Sequence, residues 1–90
     1  MSEQLSGELV NLLSKLGQFR ERTITLDELQ ALLWGTAQAL TAREDQRLRE
    51  TLQDAEGRVE LARFTLEEDR IWDEVHKVVE AVELAVTSNR

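Results

Sequence analysis

The stretch from Phe64 to Val86 limits what this chain can fold into more than any other part of it. Its apolar residues fall at Ile71, Val75, Val78, Val82 and Ala85, with Trp72, Val79 and Val86 alongside. At roughly 100° per residue these positions make a helical stripe covering about 140° of the surface. A face that wide suits contact with more than one neighbouring helix. Valine restricts its own rotamers in a helix and lowers helix propensity, so packing rather than intrinsic preference has to hold this segment. Thr65-Leu66-Glu67-Glu68 has the form of a capping box. In that arrangement hydroxyl and carboxylate each satisfy a backbone N–H that lacks a partner inside the helix. Glu67, Glu68 and Asp69 would then lie in the first turn, where the helix dipole favours negative charge.

The rest of the chain must supply the surfaces that cover this stripe, and three more amphipathic segments do so. Leu5, Leu9, Leu12, Leu13, Leu16 and Phe19 repeat at helical spacing, with Ser2 or Ser6 as cap. Leu26, Leu29, Leu33, Ala37 and Leu40 form the next stripe, flanked by Trp34, with Leu32 off it. Thr25 and Glu28 make a capping box at its start, and Ile24 before them is placed to pack on Leu29. Gly35 sits inside this segment at a cost of about 1 kcal/mol against alanine, unless another backbone approaches there. A third box, Thr41 to Glu44, introduces a thin stripe of Leu48, Leu52, Ala55, Val59 and Ala62 in a mostly charged segment. Asp45–Arg49 and Asp54–Arg58 are spaced there as i, i+4 ion pairs. Gly57 weakens the middle of that segment, which is the most solvated of the four.

The expected fold is all-α: one domain spanning residues 1–90, a small antiparallel up-down bundle of four helices at roughly 3–19, 25–40, 42–63 and 65–87. A variant leaves the third helix as an arm continuous with a neighbour, so that three helices pack and a dimer closes the core. The absence of proline fits long helices. Strand alternation and turn dipeptides are missing.

Composition narrows the function classes. The formal charge of −7 over 90 residues opposes nucleic acid and anionic membrane, both of which call for a basic surface. It suits a basic protein partner, and it also keeps a small protein soluble. There is no cysteine for a disulfide or a thiolate metal site. No apolar run reaches the roughly 18–20 residues that span a bilayer. MSEQLSGELV has neither the basic stretch nor the apolar centre of a secretory leader, so a cytoplasmic protein is expected.

No constellation points to catalysis, and the chain is expected not to be an enzyme. His76 is the only histidine. Zinc and di-iron centres in bundles draw on several His, Cys or Glu ligands, so neither metal nor cofactor is expected. The serines lie near the termini or in the first helix, and the glycines are scattered, so neither a nucleophile triad nor a phosphate loop can be assembled. Trp34 is expected in the core, whereas Trp72 divides evenly between core and interface, where tryptophan is enriched. Lys15, Arg20 and Arg22 sit where cations complement the end of the first helix. The candidate partner-binding residues are Asp69, Trp72, Asp73, His76, Glu80 and Glu83, one strip along the last helix.

Two segments carry a resemblance. Leu16-Gly17-Gln18-Phe19-Arg20 runs into Ile24-Thr25-Leu26-Asp27-Glu28-Leu29-Gln30 and on to Leu33-Trp34. Ala55-Glu56-Gly57 is followed by Glu60-Leu61-Ala62-Arg63-Phe64-Thr65-Leu66-Glu67-Glu68-Asp69. Together they resemble a group of short, acidic, uncharacterised bacterial proteins. That group implies an all-helical fold and brings no activity or functional residue with it. In size, charge and helicity the chain is also similar to small acidic immunity proteins, which bind and silence basic toxins. The expected function is therefore a non-catalytic protein-binding module, immunity- or antitoxin-like, with a self-associating helical bundle (a homodimer) as the alternative.

Overall fold

The computed structural model describes residues 7–88, apart from the Glu44 side chain. They form α1 (Gly7–Arg20), α2 (Leu26–Ala39), a short 3-10 turn (Arg43–Asp45), α3 (Gln46–Thr65) and α4 (Glu68–Ser88). The described residues include no strand. The expected cap at Ser2 or Ser6 and the contribution of Leu5 lie outside the described residues.

The helices pack as a four-helix, up-down bundle. Arg63 reaches Asp27 and Arg49 reaches the Leu40 carbonyl, so α2 and α3 run antiparallel. Phe19 lies against Trp72, while Leu13 shares a groove with Leu84 and Thr87, so α1 and α4 do the same. The variant with α3 as a free arm is excluded, because α3 packs on both α2 and α4.

The apolar stripes point inward as expected. Leu9, Leu12, Leu16 and Phe19 of α1 are buried, as are Leu29, Leu33 and Ala37 of α2 with Leu40 just after it. All five stripe residues of α3 are buried, and so are Val75, Val78, Val79, Val82 and Val86 of α4. Each such Leu, Val or Phe contributes about 1.5–3 kcal/mol by leaving water. Ile71, Trp72 and Ala85 are half-buried at the margins of the α4 face. Leu32, expected off the α2 stripe, is half-buried against the same core.

Two expectations about side chains fail. Trp34 is not a core residue: 52% of its surface is open, on the shoulder of α2. The two i, i+4 ion pairs of α3 give way to longer connections. Arg49 donates to the Leu40 carbonyl at 3.1 Å, capping the negative end of α2, and Arg58 reaches Glu74 of α4 at 3.4 Å. A backbone carbonyl at a helix end and a carboxylate on the facing helix compete well against a neighbour on the same exposed turn.

The capping boxes expected at Thr25 and Thr65 part company. At Thr25 the box forms in full: Glu28 N donates to Thr25 Oγ1 at 3.1 Å, and Thr25 N donates to Glu28 Oε1 at 2.7 Å. The Thr41 box depends on the Glu44 side chain and lies outside the described residues; neither Ala42 nor Asp45 provides a side-chain cap, and the chain enters α3 through the 3-10 turn. Thr65 does not cap α4. It is the last residue of α3, and its hydroxyl donates back to the Leu61 carbonyl at 2.8 Å. The break falls at Leu66 and Glu67, and the Glu67 carbonyl accepts the first bonds of α4 from Arg70 N and Ile71 N. Ending α3 two residues later than expected leaves Leu66 half-buried and turns Phe64 outward, 78% exposed.

Candidate functional site

Asp69, Trp72, Asp73, His76, Glu80 and Glu83 repeat at three- and four-residue intervals, so they share about 100° of the α4 circumference. The structure sets this strip on the shoulder of α4 that faces α1. Asp69, Asp73 and Glu80 are exposed, while Trp72, His76 and Glu83 are half-buried where the two helices meet.

The half-buried members are held by the end of α1. The Trp72 ring stacks on Phe19, with centroids 5.3 Å apart and planes 23° apart. The His76 ring lies 6.1 Å from Phe19 at a 52° tilt. Phe19 is fully buried, so it serves as a fixed platform for both rings.

Two cations expected to complement the α1 dipole belong to this strip. Arg20 forks onto Glu83, through Nη2 to Oε1 at 2.5 Å and Nε to Oε2 at 3.3 Å. The hydrogen bond that Arg20 donates to Glu83, together with the Glu83 charge, raises the Arg20 pKa above its ordinary value. Arg22 lies over the opposite end of the strip, with its guanidinium carbon 4.3 Å from the Trp72 ring centroid.

Arg22 reaches that position through the turn that ends α1. Arg22 N donates to the Phe19 carbonyl at 2.8 Å, and Thr23 N donates to the Gln18 carbonyl at 2.9 Å. These are the two bonds of a Schellman motif, with Arg22 at the left-handed position and φ at 61°. Glycine is the usual occupant there, because a Cβ is strained in that conformation.

The strip therefore has two halves. Near the start of α4, Asp69, Trp72 and Asp73 join Arg22 and Glu68 around a shallow hollow of about 560 Å³. Near its end, Glu80 and Glu83 join Arg20, Leu13, Leu84 and Thr87 around a groove of about 570 Å³ between α1 and α4. Leu13, Leu84 and Thr87 were not among the expected site residues. The available signal was Leu84, an apolar residue outside the α4 stripe, and it is 68% exposed.

Among the described residues, no three His, Asp or Glu side chains are placed to hold one metal ion. No described helix is long and apolar enough to cross a membrane. In comparisons with known proteins, the chain matches no family model, no curated protein and no solved structure.

Proposed function

We propose that this chain is a non-catalytic protein-binding module, immunity- or antitoxin-like, that presents the acidic shoulder of α4 to a basic protein partner. The observation that carries the reading is the arrangement of Asp69, Asp73 and Glu80. All three are exposed on one strip of a rigid helix, beside the half-buried ring of Trp72. Charges placed this way steer a basic partner during encounter, and a partly open tryptophan supplies apolar contact area once it docks. Arg20 and Arg22 hold Glu83 and Trp72 in place before any partner arrives, which lowers the ordering cost of binding.

The test is recovery of a basic partner from the source cell on immobilised protein at low salt. Asp73→Asn combined with Glu80→Gln should reduce the recovery. Raising salt from about 30 mM to about 300 mM should weaken it severalfold, as screening shortens the range of the charges. A partner whose capture ignores both the salt and the double substitution would overturn the reading.

A second reading, a self-associating bundle without separate activity, has a different basis. The wide α4 face that suggests it is spent inside the chain, against α1 and α3. What favours self-association instead is the outer face of α3, where Leu61 is 63% exposed and Phe64 78% exposed, one turn apart. Sedimentation showing only monomer at high concentration removes this reading.

A further inference from the structure

We propose that the groove between α1 and α4 is the seat of an amphipathic helix carried by that basic partner. The helix would lay its apolar side on Leu13 and Leu84 and place a cation on Glu80. This inference rests on the proposed function and assigns its site.

The groove has the form such an occupant needs. Its banks are two antiparallel helices, and a third helix packs into the trough between such a pair with its side chains at i, i+3 and i+4. Leu13 is half-buried on the α1 side, with Val10 one turn away and 54% exposed. Leu84 rises on the α4 side. Its four-residue neighbours on the same ridge are Glu80 and Ser88, so an apolar contact lies one turn from an exposed carboxylate. The same one-turn offset between an apolar residue and a lysine or arginine is what a basic amphipathic helix presents.

Charge complementarity selects this occupant over a second copy. The groove holds two carboxylates and one cation, and that cation, Arg20, is already tied to Glu83. Glu80 remains exposed at the rim. A second copy would bring its own charge of −7, and a two-fold pairing across this groove would bring the two Glu80 carboxylates together. The outer face of α3, where Leu61 and Phe64 are exposed one turn apart, serves as the control surface.

The 90-residue chain, isotopically labelled, is titrated with a synthetic amphipathic helix of leucine and lysine. A matched peptide carries glutamine at every lysine. Saturable binding of the lysine peptide is expected, with the largest amide shifts at Leu13, Glu80, Leu84 and Thr87. Leu84→Ser, a change at an exposed position, should weaken binding by about tenfold or more, as expected for an anchoring contact. Glu80→Gln should weaken it by roughly threefold and reduce its salt dependence. Leu61→Ser with Phe64→Ser should leave it unchanged.

Shifts confined to α3, or unchanged binding in Leu84→Ser, would overturn the groove. A natural basic partner that still binds Leu84→Ser would overturn the groove alone and leave the acidic-surface reading intact. Equal affinity for the glutamine peptide would overturn the basic character of the occupant. A dimer in sedimentation that Leu84→Ser disrupts would name a second copy as the occupant instead, and absence of binding up to millimolar peptide would also reject the proposal.

Discussion

The two ends of the bundle are built on different terms. At the end holding the α1–α2 turn, polar and aromatic contacts tie every helix to another. The Schellman turn closes α1, the Thr25 box opens α2, Arg63 of α3 bonds Asp27 and Gln30, and Trp72 of α4 stacks on Phe19. At the opposite end, α2 and α3 are still joined by Arg49 on the Leu40 carbonyl, while α1 and α4 border the groove of Leu13, Leu84 and Thr87 and are tied across it by Arg20 on Glu83. The turn end ties its aromatic rings and cations into its own fold and leaves Asp69 and Asp73 exposed, whereas the other end leaves Leu84 exposed one turn from Glu80. An apolar docking contact belongs at the second end, because rings already packed internally have little to offer a partner, while the exposed acids of the turn end steer its approach.

The sharpest way to break this contrast is at its two aromatic and aliphatic anchors. Phe19→Ala removes the platform under Trp72 and His76 and should cost about 3–5 kcal/mol, read from urea unfolding, because it empties a fully buried site. Leu13→Ala, at the open end of the same helix, should cost about 1 kcal/mol or less, since the side chain is only half removed from water. Similar losses for the two would mean that the groove is as tightly built as the turn end.

A smaller effect separates the threonines. Thr25→Ala deletes a formed cap and should lower stability by about 1 kcal/mol. Thr65→Ala deletes only a hydroxyl bonded back into α3 and should stay within about 0.5 kcal/mol of the parent. Thermal melts of the two variants decide it, and equal losses would show that Thr65 does cap α4. Gly35→Ala and Gly57→Ala, one on each of the central helices, should each raise stability by about 0.5–1 kcal/mol. An added Cβ meets no atom within 4 Å at either position, so the gain is not offset by a clash. Being on different helices, the two gains should add.

The threonines also mark where sequence reasoning stops. The apolar period alone places all five buried residues of α3 and the buried valines of α4, because a stripe depends only on spacing along one helix. The letters of the capping box occur at both Thr25 and Thr65, yet of these two only the first box forms. Thr25 follows a turn that has already released the chain into extended backbone, with φ −90° and ψ 170°. No breaker precedes Thr65, so α3 runs on through it and its hydroxyl finds the Leu61 carbonyl first. The candidate site divides in the same way. Helical spacing is enough to gather the six residues from Asp69 to Glu83 on one strip of α4. The cations that share the strip, Arg20 and Arg22, come from whichever helix lies alongside, and that is settled by the packing of the whole bundle. Trp34 fails for a related reason. Its neighbours are apolar, but it lies on the shoulder of α2 beyond the reach of the core.

The smallest expected effect is the most informative about the tied end. Arg22 occupies a left-handed position where glycine would relieve strain, by about 1 kcal/mol for an L-residue in that conformation. Its guanidinium over Trp72 contributes in the other direction, about 0.5–1 kcal/mol for an exposed cation on an aromatic face. Arg22→Gly in the parent should therefore change stability very little, because relief and loss nearly cancel. Trp72→Leu removes the ring and leaves the strain, so Arg22→Gly in that background should stabilise by about 0.5–1 kcal/mol. The difference between the two measurements is the coupling between cation and ring, obtained from a double-mutant cycle in urea. A coupling indistinguishable from zero would mean that the ring does not hold Arg22. The strained turn would then have to be kept by the Phe19 and Gln18 carbonyl bonds alone, and the contrast between the ends would rest on the Phe19 platform rather than on the cation that crosses it.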